Sequence, residues 1–234
     1  MTAIKSSSIS VYLLAGVATT QTAFNECKEK LDKLFRADGL DPFIHILHPY
    51  GDASRNLYRQ IVEVGSDLSN RIGIGRVGGR AAFRKIMENI RDKDEPMLLI
   101  GHSGGGVAAY QAGRMLHNQK LSRNYRIVQV GSPRVPIQPD MQERVCYFHS
   151  VDSDGKPNDP ITRIGSWGGW IADKGSAVPR WNRMKYAPVK VEGIPTIGGH
   201  AHYFRGNHPY IDQDSICNLD KTIERVRHWL KGWN

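Results

Sequence analysis

Cysteine is scarce in this chain, with three residues in 234. Cys27, Cys146 and Cys217 lie far apart, and an odd count without metal-type spacing argues against a disulfide framework or a zinc site. Core thiols are the expectation. No apolar run approaches the roughly 20 residues that a membrane-spanning helix requires. Long polar tracts, Pro/Ser-rich linkers and internal repeats are also missing. Nothing therefore marks a domain boundary, and residues 1–234 are expected to form one domain.

Acidic residues are the minority, 23 against 32 Lys and Arg, for a formal charge of +9. Such an excess favours polyanions or anionic surfaces. The basic residues are nevertheless spread over the polar faces of predicted helices: Lys28, Lys30 and Lys33; Arg84, Lys85 and Arg91; Lys221, Arg225 and Arg227. No basic run interleaved with aromatics is present, so nucleic-acid binding is not expected, while peripheral contact with an anionic surface stays open. Near the N-terminus, Lys5 precedes the apolar stretch Ile9 to Ala18, which has some likeness to a secretory signal. Ser10 and Tyr12 interrupt it, and the fold argued below needs it as a core strand. Cytoplasmic residence is the expectation, secretion the alternative.

Short runs rich in Val, Ile, Leu and Tyr alternate with segments of helical period, the pattern of strands joined by crossover helices. Strands are expected at Ser10–Ala15, Phe43–Leu47, Met97–Ile100, Tyr125–Val130, Arg144–Phe148 and Pro188–Glu192. Helices are expected from the stripes Phe24, Cys27, Leu31, Leu34 and Phe35; Leu57, Tyr58, Ile61 and Val62; and Ala82, Phe83, Ile86, Met87 and Ile90. A further helix should run from Gly104 to about His117. The last stripe is the best defined, with Ile216, Leu219, Ile223, Val226, Leu230 and Trp233 at steps of three and four. The fold class is α/β, a mostly parallel central sheet with helices on both faces. Between Asp152 and Ala187 the pattern dissolves, and residues 160–187 are a candidate lid or binding loop.

The apolar strand Met97–Ile100 runs into Gly101-His102-Ser103-Gly104-Gly105-Gly106 and then a helix. That context gives a Gly-x-Ser-x-Gly match its meaning, because a sharp strand-to-helix turn holds the serine hydroxyl clear of the sheet. The flanking positions must be glycine, since a Cβ there would meet neighbouring backbone. Ser103 is the candidate nucleophile, and the Gly104 amide, opening the helix, is placed to stabilise an oxyanion. His102 is expected to help shape the turn.

At these residues the chain resembles the α/β-hydrolase superfamily, and the Gly-His-Ser-x-Gly-Gly form resembles its lipases and esterases. The resemblance implies the chain order serine, acid, histidine. Asn158-Asp159-Pro160-Ile161-Thr162 is similar to the aspartate segment of lipases sometimes grouped as class 3, which selects Asp159. Asp152 and Asp154 follow the preceding strand more closely and remain candidates. Gly199-His200-Ala201-His202-Tyr203-Phe204 is similar to a His-x-x-Tyr ending and selects His200 as base, with His202 and then His208 as competitors. The second oxyanion donor in this superfamily comes from the loop after the first core strand, here Ala15-Gly16-Val17-Ala18-Thr19-Thr20, with Val17 as donor. Metal binding by His200 and His202 is not expected, since no partners with metal spacing accompany them.

Two louder features carry less. Gly73-Ile74-Gly75-Arg76-Val77-Gly78 matches a dinucleotide fingerprint, but the residues before it form no convincing strand, so a flexible loop is the better reading, one that with Arg71, Arg76 and Arg80 could border the site. Trp167, Trp170 and Trp181 could form a mobile cover over an acyl pocket or simply pack under a long loop. The reading as a whole is a serine hydrolase acting on a small-molecule or lipid carboxylic ester, without a cofactor. The alternatives are thioester or amide cleavage or acyl transfer on the same triad, and a non-catalytic binding protein on the same scaffold.

Overall fold

The structure, a computed structural model, describes residues 8–51, 57–68, 77–172 and 178–233. Among the described residues eight strands occur in chain order: β1 (Ser8–Leu14), β2 (Asp41–Leu47), β3 (Met97–His102), β4 (Tyr125–Val130), β5 (Val145–Val151), β6 (Gly169–Ile171), β7 (Arg180–Asn182) and β8 (Lys190–Pro195). Six of them build one sheet in the order β2-β1-β3-β4-β5-β8, with every neighbouring pair parallel. Parallel neighbours need crossovers, and helices supply most of them. They are α1 (Asn25–Ala37), α2 (Leu57–Leu68), α3 (Val77–Asn89) and α4 (Gly104–Asn118), with α5 (Asn218–Leu230) following β8.

Alternation along the strands sends successive side chains to opposite faces. Val11, Leu13, Leu98, Ile100, Val128 and Val130 pack with Cys27, Leu31 and Phe35 of α1 and Ile223 and Val226 of α5. Their strand neighbours Tyr12, Leu14, Leu99 and Ile127 pack on the other face with Ala82 and Ile86 of α3 and Ala108, Ala109 and Ala112 of α4. The sheet is thus covered on both sides, which is why β3 reads as a continuous apolar run. All three cysteines are buried and unpaired.

The last sheet strand lies at Lys190–Pro195, a few residues later than the pattern of Pro188–Glu192 suggests. Val189 is exposed while Ile194 is fully buried, so the core contact of this edge strand falls beyond Gly193. In the irregular stretch, β6 and β7 form a small antiparallel ribbon on which Trp170 and Trp181 stack edge-on and stay exposed. Trp167 instead packs edge-on against Tyr147.

Several of the dispersed cations form surface ion pairs, as in Lys85–Glu88, Arg225–Glu192 and Arg227–Asp38. Among the described residues no helix is long and apolar enough to cross a membrane. Of the Gly73–Gly78 match, residues 73–76, with Arg71, lie outside the described residues; Arg80 is exposed on α3, and the element before the match is helix α2 rather than a strand. Gly78 and Gly79 open α3 and let it approach closely, since a Cβ on Gly78 would fall 2.3 Å from the Tyr50 ring.

Chain order places the site. From β1 the chain moves outward to β2, then returns past β1 to β3, so the connections after β1 and β3 leave the sheet in opposite directions. The crevice at the carboxyl ends of two such strands is where open α/β sheets bind ligands. Leu14 and Gly101 are register partners there, bringing the loop after β1 against the turn after β3.

Candidate active site

Ser103 follows β3 and precedes α4 with φ +56° and ψ −131°, a conformation that residues other than glycine rarely adopt. Its backbone is held by hydrogen bonds from its own N–H to the Val130 carbonyl (3.0 Å) and from the Gly106 N–H to its carbonyl (3.0 Å). The glycines on either side are required by space. A Cβ on Gly101 would lie 2.2 Å from the Gly105 carbonyl oxygen, and one on Gly105 would lie 2.0 Å from that of Leu14.

His200 and Asp159 reach this serine from two later connections. Asp159 follows β5 by eight residues and precedes a one-turn 3-10 helix, Pro160–Arg163; His200 opens a second, His200–His202, after β8. The His200 Nε2 lies 2.9 Å from Ser103 Oγ. Its Nδ1 lies 3.0 and 3.1 Å from the two oxygens of Asp159. A carboxylate only accepts, so the ring proton sits on Nδ1 and Nε2 is left to accept from the serine hydroxyl.

Asp159 is fully buried. Burial alone would push its carboxyl up, but the hydrogen bond and charge of His200, the Tyr203 hydroxyl (2.7 Å) and the Ile161 N–H (2.9 Å) outweigh it, and the group titrates below its ordinary value. Tyr203 is in turn oriented by accepting from the Ser150 N–H at 2.6 Å. Tyr203 entered the sequence reading only through the His-x-x-Tyr likeness, which carried no sign that its hydroxyl reaches Asp159.

The other candidates lie elsewhere. Asp152 accepts from the Asp154 and Lys156 amides at 3.0 and 2.9 Å, closing an exposed turn. Asp154 faces Lys156. His202 points off the far side of its turn, accepting from the Gly199 N–H (3.2 Å) and stacking on Tyr210 at 4.6 Å between centroids. Among the described residues no His, Cys, Asp and Glu cluster is arranged to hold a metal.

His102 does more than shape the turn. Its ring stacks on that of His200 at 4.9 Å, edge-on to Tyr203 and Phe204, and its Nε2 lies 2.8 Å from the His200 carbonyl oxygen. That carbonyl requires a donor, so the proton of the neutral ring sits on Nε2. Burial, with the charge of His200 adding to it, lowers the His102 pKa to about 4. An unfolded histidine titrates near pH ~6.5, so between that value and about 4 the unfolded chain binds a proton that the folded one refuses, and stability falls as pH falls. The full loss is about 3 kcal/mol. His102→Gln keeps an N–H donor and cannot titrate. Urea denaturation at pH 7 and 4.5 should show a smaller acid loss in this variant than in the parent, and an equal loss would refute the assignment.

A cavity of about 600 Å3 opens over Ser103. Val17, Phe24, Val64, Leu68, Ile161 and Ile164 give it an apolar wall, and His102, His200 and Arg205 add polar groups. From the 160–187 stretch only Ile161 and Ile164 are among the described lining residues; the three tryptophans are not. The wall opposite is formed by α2, whose helical pattern did not reveal that it faces Ser103. Gly16 touches the serine directly, as a Cβ there would lie 2.7 Å from Ser103 Cβ. Val17 and Gly104 both line the cavity, and among the described residues no acceptor engages the N–H of either.

No protein-family model and no curated protein matches the sequence. Solved structures do resemble it in shape. The NocB thioesterase domain, in a covalent complex with a fluorophosphonate nocardicin G analog, is similar with a TM-score of 0.54 and 14% identity, over 97% of this chain and 96% of that one. ClbQ from the colibactin NRPS/PKS pathway is similar with a TM-score of 0.52 and 11% identity, over 97% and 98%. RedJ, a thioesterase of prodiginine biosynthesis in Streptomyces coelicolor, is similar in one structure with a TM-score of 0.52 and 13% identity, over 95% and 92%. In another RedJ structure the match covers 53% of this chain and 40% of that one, with a TM-score of 0.35 and 20% identity. Together with the parallel sheet, the likenesses to the NocB domain and to ClbQ make the fold an α/β-hydrolase fold.

Proposed function

We propose that the chain is a serine hydrolase that cleaves carboxylic esters through an acyl-enzyme. The observation that carries this reading is the hydrogen-bonded series Ser103–His200–Asp159 at a strained strand-to-helix turn, open to a mostly apolar cavity. Ser103 Oγ attacks the carbonyl carbon while His200 Nε2 takes its proton. Asp159 holds the ring in the required tautomer and balances the imidazolium. The amides of Gly104 and Val17 receive the oxyanion as it forms, at a helix start and a turn where they need no reorganisation. His200 then returns the proton to the departing alcohol, and a water, deprotonated by His200, releases the acid. Residues 1–234 act in this reading as one catalytic domain, with Ile161 and Ile164 from the 160–187 stretch flanking the acyl site.

Thioester cleavage is the second reading. The structures similar in fold include the NocB thioesterase domain. Arg205 at the cavity, with no carboxylate pairing to it among the described residues, also suits a thiol carrier bearing phosphate.

One experiment separates these readings. A fluorophosphonate should label the protein at Ser103, and a panel sharing one acyl group should then rank its leaving groups: p-nitrophenol, N-acetylcysteamine and coenzyme A. Highest kcat/KM on the oxygen ester supports esterase action, and preference for the coenzyme A thioester over both others supports the second reading. Absence of labelling beside a reactive control hydrolase would overturn both.

A further inference from the structure

The second oxyanion donor works only if its peptide plane keeps one orientation, and two side chains outside the triad hold the loop that carries it. The Gly16 carbonyl accepts from the Thr19 hydroxyl at 3.0 Å, and that hydroxyl also lies 3.3 Å from the Val17 carbonyl. In a trans peptide the C=O and N–H point in opposite directions. Anchoring the Gly16 carbonyl therefore turns the Val17 N–H to the other side. The next peptide is fixed as well, because the Ala18 N–H donates to Gln60 Oε1 at 2.7 Å across 42 residues of sequence.

Ala18 has φ +53°, the left-handed region that a residue with a Cβ occupies only when its surroundings impose it. Gln60 is fully buried on α2. That helix is itself fixed: Asp67 accepts from the Tyr50 hydroxyl (2.8 Å) and the Gly79 N–H (2.9 Å), and its carbonyl accepts from Gln111 Nε2 (2.8 Å). Val64, Gly65 and Leu68 of the same helix line the cavity. One helix thus forms the wall against the acyl group and latches the loop that receives the oxyanion.

We propose that Thr19 and Gln60 are positioning residues that orient the Val17 N–H toward the developing oxyanion. The inference rests on the reading of Ser103 as nucleophile. Because the carbonyl oxygen gains its charge only on the way to the tetrahedral intermediate, a misdirected donor weakens that state more than it weakens substrate binding. The effect belongs in kcat.

The test compares Thr19→Val, Thr19→Ser and Gln60→Leu with the parent on one ester or thioester that the parent cleaves, alongside the rate of phosphonylation by a fluorophosphonate and thermal melting. Removing one oxyanion donor outright costs about 100- to 1,000-fold. Misorientation should cost less, so Thr19→Val and Gln60→Leu should each lower kcat by about 10- to 100-fold with KM within about twofold. Phosphonylation should slow in parallel. Thr19→Ser, which restores the hydroxyl, should recover most of the loss. The proposal is overturned if Thr19→Val keeps the parent's kcat, if its effect falls on KM alone, or if Thr19→Ser is as impaired as Thr19→Val. A loss of kcat explained by unfolding at the assay temperature also overturns it, since the residues would then be structural. A parent that cleaves neither substrate type and takes no label overturns the reading of Ser103 together with this one, whereas an active parent with an unaffected Thr19→Val overturns this one alone.

Discussion

Replacing Ser103 with alanine is expected to lower kcat on the best substrate by a factor on the order of 10^5 to 10^6. Among the described residues the hydroxyl has one role in the fold, the contact with His200 Nε2, and it makes no helix-capping bond. Backbone contacts to Val130 and Gly106 hold the turn and survive the change. Stability should therefore move by no more than about 1 kcal/mol, read from urea denaturation. A residual rate of about 10^3-fold over the uncatalysed reaction should persist, because oxyanion donors and substrate positioning remain. Adding His200→Ala to Ser103→Ala should cost almost nothing more, since the two groups act as one device. Turnover within tenfold of the parent in well-folded Ser103→Ala would assign the chemistry to another residue.

How far the chain can be read without coordinates depends on whether a feature is local. The sheet was legible because a buried parallel strand must be apolar on both faces, as Leu98, Leu99 and Ile100 are. The serine was legible for the same reason: the strand, the tight glycine pair and the helix start are contiguous. The proposed acid was less so. Asp152, Asp154 and Asp159 all sit in turn-forming sequence, and what separates them is the Tyr203 hydroxyl arriving from 44 residues away. His200 and His202 lie two apart on one turn of 3-10 helix, which points them to different sides. Only the likeness to a His-x-x-Tyr ending could choose between them beforehand. Periodicity located α2 but could not say that Val64 and Leu68 face a cavity or that Gln60 reaches Ala18, since amphipathic spacing is the same whichever surface covers the apolar stripe.

The proposed acid, Asp159, offers the second large effect. Asp159→Asn should lower kcat at neutral pH by about 10^4-fold, although the side chain barely changes in size. The carboxylate accepts from three donors, His200 Nδ1, the Tyr203 hydroxyl and the Ile161 N–H. An asparagine must aim its NH2 group at one of them. Facing His200, it demands an acceptor at Nδ1 and drives the ring proton to Nε2, where it confronts the serine hydroxyl instead of receiving its proton. Facing Tyr203 or Ile161, it sets donor against donor in a buried space, at a cost of about 1 to 3 kcal/mol. Either choice is damaging, so a lower denaturation midpoint should accompany the loss of rate. The pH dependence follows from the lowered pKa of Asp159. Its contribution to stability is complete above the unfolded value of about 3.9 and is lost only as pH falls through the lower folded value. By urea denaturation, the parent's advantage over Asp159→Asn should therefore shrink as pH falls below about 4. Asp152→Asn and Asp154→Asn, which alter exposed turn contacts, serve as controls and should keep kcat within about twofold. A loss in Asp152→Asn equal to that in Asp159→Asn would move the acid back to the strand end; a loss in Asp159→Asn of less than tenfold would remove it from the catalytic series, because a ring free to hold either tautomer does not depend on this carboxylate for its orientation.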